Sequence, residues 1–212
     1  GFIQLASATD KTTVKNVTVS DMGYGIKVDY SNAVVIENAK INTTVAAVLN
    51  SNYGAKTITI KNSDISIYGT WTRNNTVKTN IVFEGENSVN QFIHDAAIDN
   101  FKLTIGSTLV APADLVIGTE PGYVVKYSDG VYKASGAAVK NEATGAIYAT
   151  LADAIADATA GQTVTLLADI TEDVTISKVV TIDGANKTYT GKMTAKANAT
   201  IKNLNFDGKG YN

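Results

Sequence analysis

The sequence predicts an all-β protein: a right-handed parallel β-helix, or solenoid, with one short capping α-helix and a small β-hairpin spacer. Three observations support this fold class: short alternating strands, a repeat of nearly constant length, and an asparagine at a fixed place in the repeat. The clearest stretch is Ala55–Tyr68, in which apolar and polar residues alternate on both sides of a polar corner at Lys61–Asp64. Such alternation is typical of half-buried β-strands.

A six-residue unit, apolar-x-Asn-x-x-apolar, recurs along the chain. It begins at Val14, Ile36 and Ile60, and a weaker copy with Gly85 in the asparagine position begins at Phe83. The intervals between these copies are nearly constant, and a period of this kind with two or three short strands per turn is typical of a parallel β-helix, in which stacked coils share one core. The alternative, antiparallel hairpins with asparagine in their turns, requires no constant coil length.

The asparagines of these units predict a ladder inside the sharp turn between two strands. Asparagine tolerates the left-handed backbone conformation that such turns need. Its side-chain amide can bond to the backbone or to the amide of the next coil. The predicted rungs are Asn203, Asn16, Asn38 and Asn62.

Three segments follow from the change of pattern along the chain. Residues 1–110 are predicted to form β-helix coils, residues 111–146 a β-hairpin spacer or linker, and residues 147–212 the capping helix and the opening coils of a β-helix. Within the spacer, Gly122–Ala134 contains two alternating runs around a Ser-Asp-Gly turn, which is a strong hairpin signal.

One amphipathic helix is predicted over Thr150–Ala160, because its apolar residues recur on one face. Thr150 is expected to cap the amino end of this helix, and Gly161 is expected to end it. A short amphipathic helix in front of β-coils is suited to cover the open end of a solenoid core.

The repeat unit returns near the other end of the sequence, beginning at Ile201. The interval from Ile201 to Asn212 and on from Gly1 to Val14 is close to the length of one coil. We therefore expect residues 147–212 to continue into residues 1–110 of the next copy, or of the same chain. Tandem repeats and a filament of subunits in head-to-tail contact both fit this expectation, and a chance match is the alternative.

The run Ile147–Asp169, continued by Val174–Gly184 and Ala199–Phe206, resembles the opening of pectin-lyase-like right-handed β-helix domains in repetitive bacterial surface proteins and adhesins. Gly122–Ala134 resembles the small spacer found before such openings. The resemblance implies the β-helix fold and a place on the cell surface. It implies little about activity, because the fold carries lyases, hydrolases, adhesins and phage tailspikes alike.

Composition excludes several kinds of chemistry. The chain has no cysteine, which excludes disulfides, thiolate metal sites and a cysteine nucleophile. Arg73 is the one arginine, so an arginine cluster that grips phosphate or carboxylate is excluded. The net charge of −2 gives no drive toward nucleic acid or an anionic membrane, and no apolar run is long enough to span a bilayer.

Candidate catalytic groups are scattered. Asp21, Asp29 and Asp64 are predicted in turns of different coils at non-equivalent positions, whereas glycosidases of this fold need carboxylates that face one groove. His94 stands beside Asp95 with no recognisable serine nucleophile. We therefore predict no catalytic residue, no cofactor, no metal site and no enzymatic activity.

Aromatic residues provide the candidate contact surface. Trp71 and Arg73 lie in a polar loop between strands, and Tyr53 and Tyr68 lie near it in the predicted coils. Exposed aromatic rings on a flat β face can stack on sugars, so these four residues are predicted to contact a glycan or another partner. Aromatic stacking along the solenoid is the alternative.

These observations predict an extracellular or cell-surface structural unit of a fibre or adhesin. Its coils are expected to stack head to tail on copies of itself, with glycans or a host surface as further candidate partners. No nucleic acid partner and no membrane insertion are expected. The alternatives are a polysaccharide-active enzyme or tailspike-like glycan-binding β-helix, and a monomeric carbohydrate-binding module.

Overall fold

A computed structural model describes residues 2–6, 10–50, 55–69, 78–93 and 98–207. The chain forms two compact units, here called the first solenoid (Gly1–Glu120 with Val125–Ala134) and the second solenoid (Pro121–Val124 with Ser135–Asn212). About 60% of the chain is in strands that build a β-solenoid of about 8 turns, with one helix among the described residues. The predicted all-β solenoid class is confirmed, and its right-handed sense stays a prediction.

The first solenoid is built from strands that alternate between two parallel sheets. The described strands are, in chain order, β1 (Ile3–Leu5), β2 (Thr12–Lys15), β3 (Thr18–Val28), β4 (Ala33–Glu37), β5 (Lys40–Asn50), β6 (Thr57–Lys61), β7 (Asp64–Gly69), β8 (Thr79–Glu84), β9 (Glu86–Ile93), β10 (Ile98–Leu103), β11 (Thr108–Val110) and β12 (Ile117–Gly118). One sheet has the order β1-β3-β5-β7-β9-β11, and the other has the order β2-β4-β6-β8-β10-β12.

The register of the even-numbered sheet confirms the predicted repeat. Val14 is the partner of Ile36, Ile36 of Ile60, and Ile60 of Phe83. Phe83 in turn is the partner of Leu103, so the weaker fourth copy also lies in the column. These side chains point inward because every second residue of a strand faces the core. Full burial of each contributes about 1.5–3 kcal/mol relative to exposure.

The predicted hairpin is present and extends the odd-numbered sheet. Its strands are β13 (Tyr123–Ser128) and β14 (Val131–Gly136), joined at Asp129 and Gly130, whose φ angles are 51° and 81°. Two successive positive φ angles are what a tight hairpin turn requires. β14 pairs antiparallel with β11, where Leu109 is the partner of Tyr132.

Residues 111–146, predicted as a separate spacer, are divided between the two units. The hairpin caps the last coil of the first solenoid, since β14 satisfies the backbone groups on the free edge of β11. Residues from Ser135 onward belong to the second solenoid. The sequence marks the hairpin itself but gives no sign of this long-range pairing.

The second solenoid has three narrow faces. Its elements are β15 (Val139–Asn141), β16 (Ile147–Tyr148), α1 (Leu151–Asp157), β17 (Thr163–Leu166), β18 (Ile170–Thr171), β19 (Val174–Ile176), β20 (Val180–Asp183), β21 (Thr188–Thr190), β22 (Met193–Ala195), β23 (Ala199–Lys202) and β24 (Asn205–Asp207). The faces have the orders β16-β15-β17-β20-β23, β18-β21-β24 and β19-β22. β15 is antiparallel to β16 and β17, and the other pairs are parallel.

The helix α1 covers the core of the second solenoid, as predicted. Leu151, Ala154 and Ile155 are buried in the same cluster as Val164 and Ile182. The Thr150 hydroxyl caps the amino end by accepting a hydrogen bond from the backbone of Asp153 at 3.1 Å.

The helix is shorter than predicted. It ends at Asp157 because Ala158 has an extended backbone, with φ −59° and ψ 142°. The Lys178 ammonium donates to the Ala158 carbonyl at 2.8 Å, so a cation caps this end. Gly161 has a φ of 86° but lies beyond the helix.

Candidate assembly interface

Three of the four predicted ladder asparagines occupy one corner of the first solenoid. Asn16, Asn38 and Asn62 have φ angles of 57°, 50° and 48°, in the left-handed region. The backbone N–H of each donates to a carbonyl of the next coil, at 3.0, 3.0 and 3.2 Å. The Asn38 amide also donates to Asn16 Oδ1 at 3.3 Å, which is one side-chain rung.

Gly85 takes the next place in this corner and changes the pattern. Its φ is 71°, and a Cβ atom at this position would lie 2.0 Å from Asn62 Oδ1. The missing side chain leaves room for Asn62 Oδ1 to accept a hydrogen bond from the backbone of Glu86 at 3.1 Å. Asn62 therefore bonds to the backbone of the next coil instead of to another amide.

Asn203 lies in the equivalent corner of the second solenoid, with a φ of 52°. Its amide donates to Asp183 Oδ1 at 3.0 Å. The same carboxylate accepts from the backbone of Ala185 at 3.0 Å and pairs with the Lys202 ammonium at 3.2 Å. The hydrogen bond from Ala185 is the main reason that the pKa of Asp183 lies below its usual value, with Asn203 and Lys202 adding to the effect. Sequence reasoning missed the role of Asp183.

Charged residues one position before the corner alternate in sign. Lys15 pairs with Glu37 at 3.2 Å, and Lys61 pairs with Glu84 at 3.9 Å. Neighbouring coils therefore present opposite charges along the outside of the first solenoid. Each exposed pair contributes about 0–1 kcal/mol, so this column favours one register more than it adds stability.

The Tyr68 side chain lies in the core of the first solenoid. Its side chain is 0% exposed, and its ring lies 6.0 Å from that of Phe92 on the neighbouring coil. Burial raises the pKa of the Tyr68 hydroxyl well above its usual value. Complete burial places the Tyr68 ring in the core, which favours the alternative, aromatic stacking along the solenoid, over contact with a glycan for this residue.

The other predicted contact residues, Tyr53, Trp71 and Arg73, lie outside the described residues, as does His94. Contact of Tyr53, Trp71 and Arg73 with glycans stays a prediction.

The scattered carboxylates have structural neighbours. Asp29 pairs with Lys27 at 2.9 Å and accepts a hydrogen bond from Gln4 at 2.5 Å. Asp64 stands beside Lys40 in the strand register. In the part of the chain that the structure describes, no group of three or more histidine, aspartate or glutamate side chains is arranged to hold a metal ion.

The last described coil of the second solenoid exposes its inward side chains. β23 and β24 lie at the ends of their faces. Ile201 is 46% exposed and Phe206 is 56% exposed, whereas their partners on the preceding coil, Ile182 and Tyr189, are both 0% exposed. The Phe206 ring rests on the Tyr189 ring at 5.6 Å, so one of its faces is covered and the other is open.

The first described coil of the first solenoid is half covered. β1 pairs with β3 only at Ile26–Val28. The part of β3 from Thr18 to Gly25 has no β1 partner and borders a groove of about 510 Å³. The groove is lined mainly by apolar side chains: Phe2, Ile3, Val17, Val19 and Met22.

Comparison with known protein families, with curated proteins and with solved structures gives no match to this chain. The β-solenoid fold rests on the sheet topology, and the pectin-lyase-like character stays a resemblance. Among the described residues, no helix combines the length and the apolar character needed to cross a membrane.

Proposed function

We propose that this chain is a structural unit of a secreted or cell-surface fibre or adhesin, and that its copies stack head to tail through their β-helix coils. One observation carries the proposal. Ile201 and Phe206 stand in columns of core side chains yet remain about half exposed. Since the same columns are closed one coil earlier, a further coil is the natural cover for them.

The energetics support such stacking. Burial of the remaining exposed half of an isoleucine or phenylalanine side chain contributes on the order of 1 kcal/mol each. A stacked coil also pairs the outer backbone edges of β23 and β24, which no further strand covers among the described residues and which would otherwise invite non-specific pairing. The contact joins two different surfaces, so it leaves a free surface at each end and can propagate as a filament.

The resemblance to repetitive bacterial surface proteins supports the extracellular location. The regular coil repeat supports stacking, because the backbone hydrogen bonds between coils run along the axis of each solenoid. The neighbours of Asp29 and Asp64 support a structural role for these carboxylates over a catalytic one.

Electron microscopy and size-exclusion chromatography test the proposal. The wild-type chain is expected to form linear particles that lengthen with concentration. Ile201→Asp should shorten them, because it places a charge on the stacking face. Val179→Asp is the matched control, since Val179 is 48% exposed but does not lie on the last coil. A wild-type chain that stays monomeric at all concentrations would contradict the proposal.

A further inference from the structure

We propose that the uncovered segment Thr18–Ser20 of β3 is the docking site for β24 of a second copy, whose Phe206 enters the groove beside Val19. This inference rests on the proposed head-to-tail function and names the surface and the register that it uses. The docking segment and β24 both belong to this protein, so the contact needs only two copies of it.

The docking edge is defined by the pairing of β3. On one side, Thr18 and Val19 pair with Lys40 and Ile41 of β5. On the other side β1 begins to pair only at Ile26. Among the described residues no strand pairs with Thr18–Ser20 on that side, so a parallel strand can add there, the arrangement known as β-strand addition.

The two surfaces match in their spacing from the corner. Asn16 and Asn203 have nearly the same φ, 57° and 52°. Each directly follows the last residue of a strand, β2 and β23 respectively. In each coil the next strand begins two positions later, at Thr18 and at Asn205. Stacking Asn203 on Asn16 therefore places β24 on Thr18–Ser20.

In this register the apolar side chains also coincide. Leu204 lies over Val17, and Phe206 lies over Val19, because each pair has the same offset from the corner asparagine. Val19 is the partner of Ile41, just as Phe206 is the partner of Tyr189. The stacked Phe206 would thus extend a column of core side chains into the first solenoid of the second copy.

The groove is large enough for the aromatic ring. Its volume is about 510 Å³. An apolar cavity of about 150 Å³ holds a benzene molecule. The apolar lining, with Phe2 and Met22 among its residues, offers the open face of Phe206 a surface that excludes water.

One charge contact opposes the docking. The same register places Lys202 beside Lys15, whereas Lys15 and Lys202 each stand beside an acidic residue on the coil that already covers them. Like charges opposite each other on neighbouring strands are unfavourable. Lys15→Gln should therefore tighten the association by up to about fivefold, which reads out the register independently.

Cysteine pairs provide the direct test, because the chain has no cysteine of its own. Neighbouring strands lie about 4.8 Å apart, within the range of about 4.4–6.8 Å between Cα atoms that a disulfide spans. Thr18→Cys and Asn205→Cys are made in separate full-length chains and mixed under mild oxidation. The register control mixes Ser20→Cys with Asn205→Cys, which stand about 8 Å apart across the contact, too far for a disulfide.

The first mixture is expected to form a disulfide-linked dimer at least tenfold faster than the control mixture or either variant alone. If the wild-type chain self-associates but the two mixtures cross-link equally slowly, the docking site is wrong while head-to-tail stacking survives. If the wild-type chain does not self-associate at all, the proposed function fails and this inference fails with it.

Discussion

The two solenoids of this chain make parallel coils in two different ways. In the first solenoid the corner column runs through Val14, Ile36, Ile60 and Phe83, and the coils have two sheets with strands such as β3 and β5, each 11 residues long. In the second solenoid the column runs through Val164, Ile182 and Ile201. Its coils are shorter and have three faces, with strands such as β17 and β18 that contain only 4 and 2 residues.

The Gly85 corner of the first solenoid and the Gly184 corner of the second differ in their backbone conformation. The corner of the first solenoid needs one residue with a left-handed backbone, and asparagine or glycine fills it. In the second solenoid Asn203 also has a left-handed backbone, whereas Gly184 at the equivalent position of the preceding coil has no positive φ. The two residues after Gly184 do have one, Ala185 at 47° and Asn186 at 63°.

A Cβ atom at Gly184 would lie 2.5 Å from the carbonyl oxygen of Asn203 and 2.6 Å from Cα of Leu204. At the Gly184 corner, therefore, backbone packs against backbone, whereas at the Gly85 corner backbone packs against the Asn62 side chain.

The largest expected effects come from the closed cores. Ile60→Ala and Ile182→Ala should each lower the free energy of unfolding of their own solenoid by about 2–5 kcal/mol, because both side chains are fully buried. Hydrogen exchange read separately on the two solenoids measures this in each. Ile201→Ala is the matched control and should cost less than half as much, since that side chain is half exposed. If Ile182→Ala and Ile201→Ala lowered the free energy of unfolding of the monomer equally, Ile201 would not be half exposed on the last described coil.

Substitution of the corner glycines distinguishes the two corners directly. Gly85→Ala and Gly184→Ala should each cost about 1–3 kcal/mol through overpacking, and the positive φ at Gly85 adds about 1–2 kcal/mol there. Asn62→Gly should recover part of the loss at Gly85, because the clashing atom belongs to the Asn62 side chain. A second substitution to glycine cannot relieve the clash at Gly184, because the nearest atoms belong to the backbone of Asn203 and Leu204.

Chemical denaturation of the single and double variants measures this coupling. Gly106→Ala is the control, since Gly106 has the same φ of 71° but no atom within 4 Å of its Cβ position. If Gly106→Ala cost as much as Gly85→Ala, the contact with Asn62 would have no part in the effect.

The helix that covers the second solenoid contrasts with the hairpin that caps the first. Thr150→Ala should destabilise the second solenoid by about 1 kcal/mol, because the amino end of α1 loses its side-chain cap. Thr150→Ser keeps the hydroxyl and should recover most of that loss. Amide exchange across α1 measures both variants, and equal exchange in the two would argue against the cap.

The smallest effect concerns alkaline pH. A hydrogen bond to the Asp157 carboxylate raises the pKa of Tyr148 to about 12. A raised pKa in the folded state means that this contribution to stability is complete below about pH 10 and is lost as the pH rises from about 10 to about 12. Tyr148→Phe should make the second solenoid less sensitive to pH in that window. The first solenoid, where burial raises the pKa of Tyr68, should be unaffected by this substitution.

Features fixed by local backbone geometry could be predicted from the sequence. Asn16, Asn38 and Asn62 are recognisable because few residues accept a positive φ, and the Thr150 cap and the hairpin turn are equally local signals. The coil spacing followed from the same asparagines, since one turn of the solenoid separates equivalent corners.

Features that depend on neighbouring coils could not be predicted. Alternation along Asp64–Gly69 puts Ile65 and Ile67 on one face, yet Ile65 and Tyr68 are the buried residues. The strand changes face between them, and a shift of one residue reverses which side chains are inside. The half-covered edge of β3 and the pairing of β14 with β11 are likewise set by long-range contacts.

Sedimentation velocity on two complementary variants tests the central claim most directly. Phe206→Asp places a charge on the stacking face of the last coil. Met22→Asp places a charge in the groove of the first coil, at a residue that is 38% exposed. The wild-type chain should form oligomers that grow with concentration, and each variant alone should remain monomeric. Their mixture should stop at a dimer, because one intact face of each kind remains. A mixture that stays monomeric, or a single variant that assembles like wild type, would contradict head-to-tail stacking.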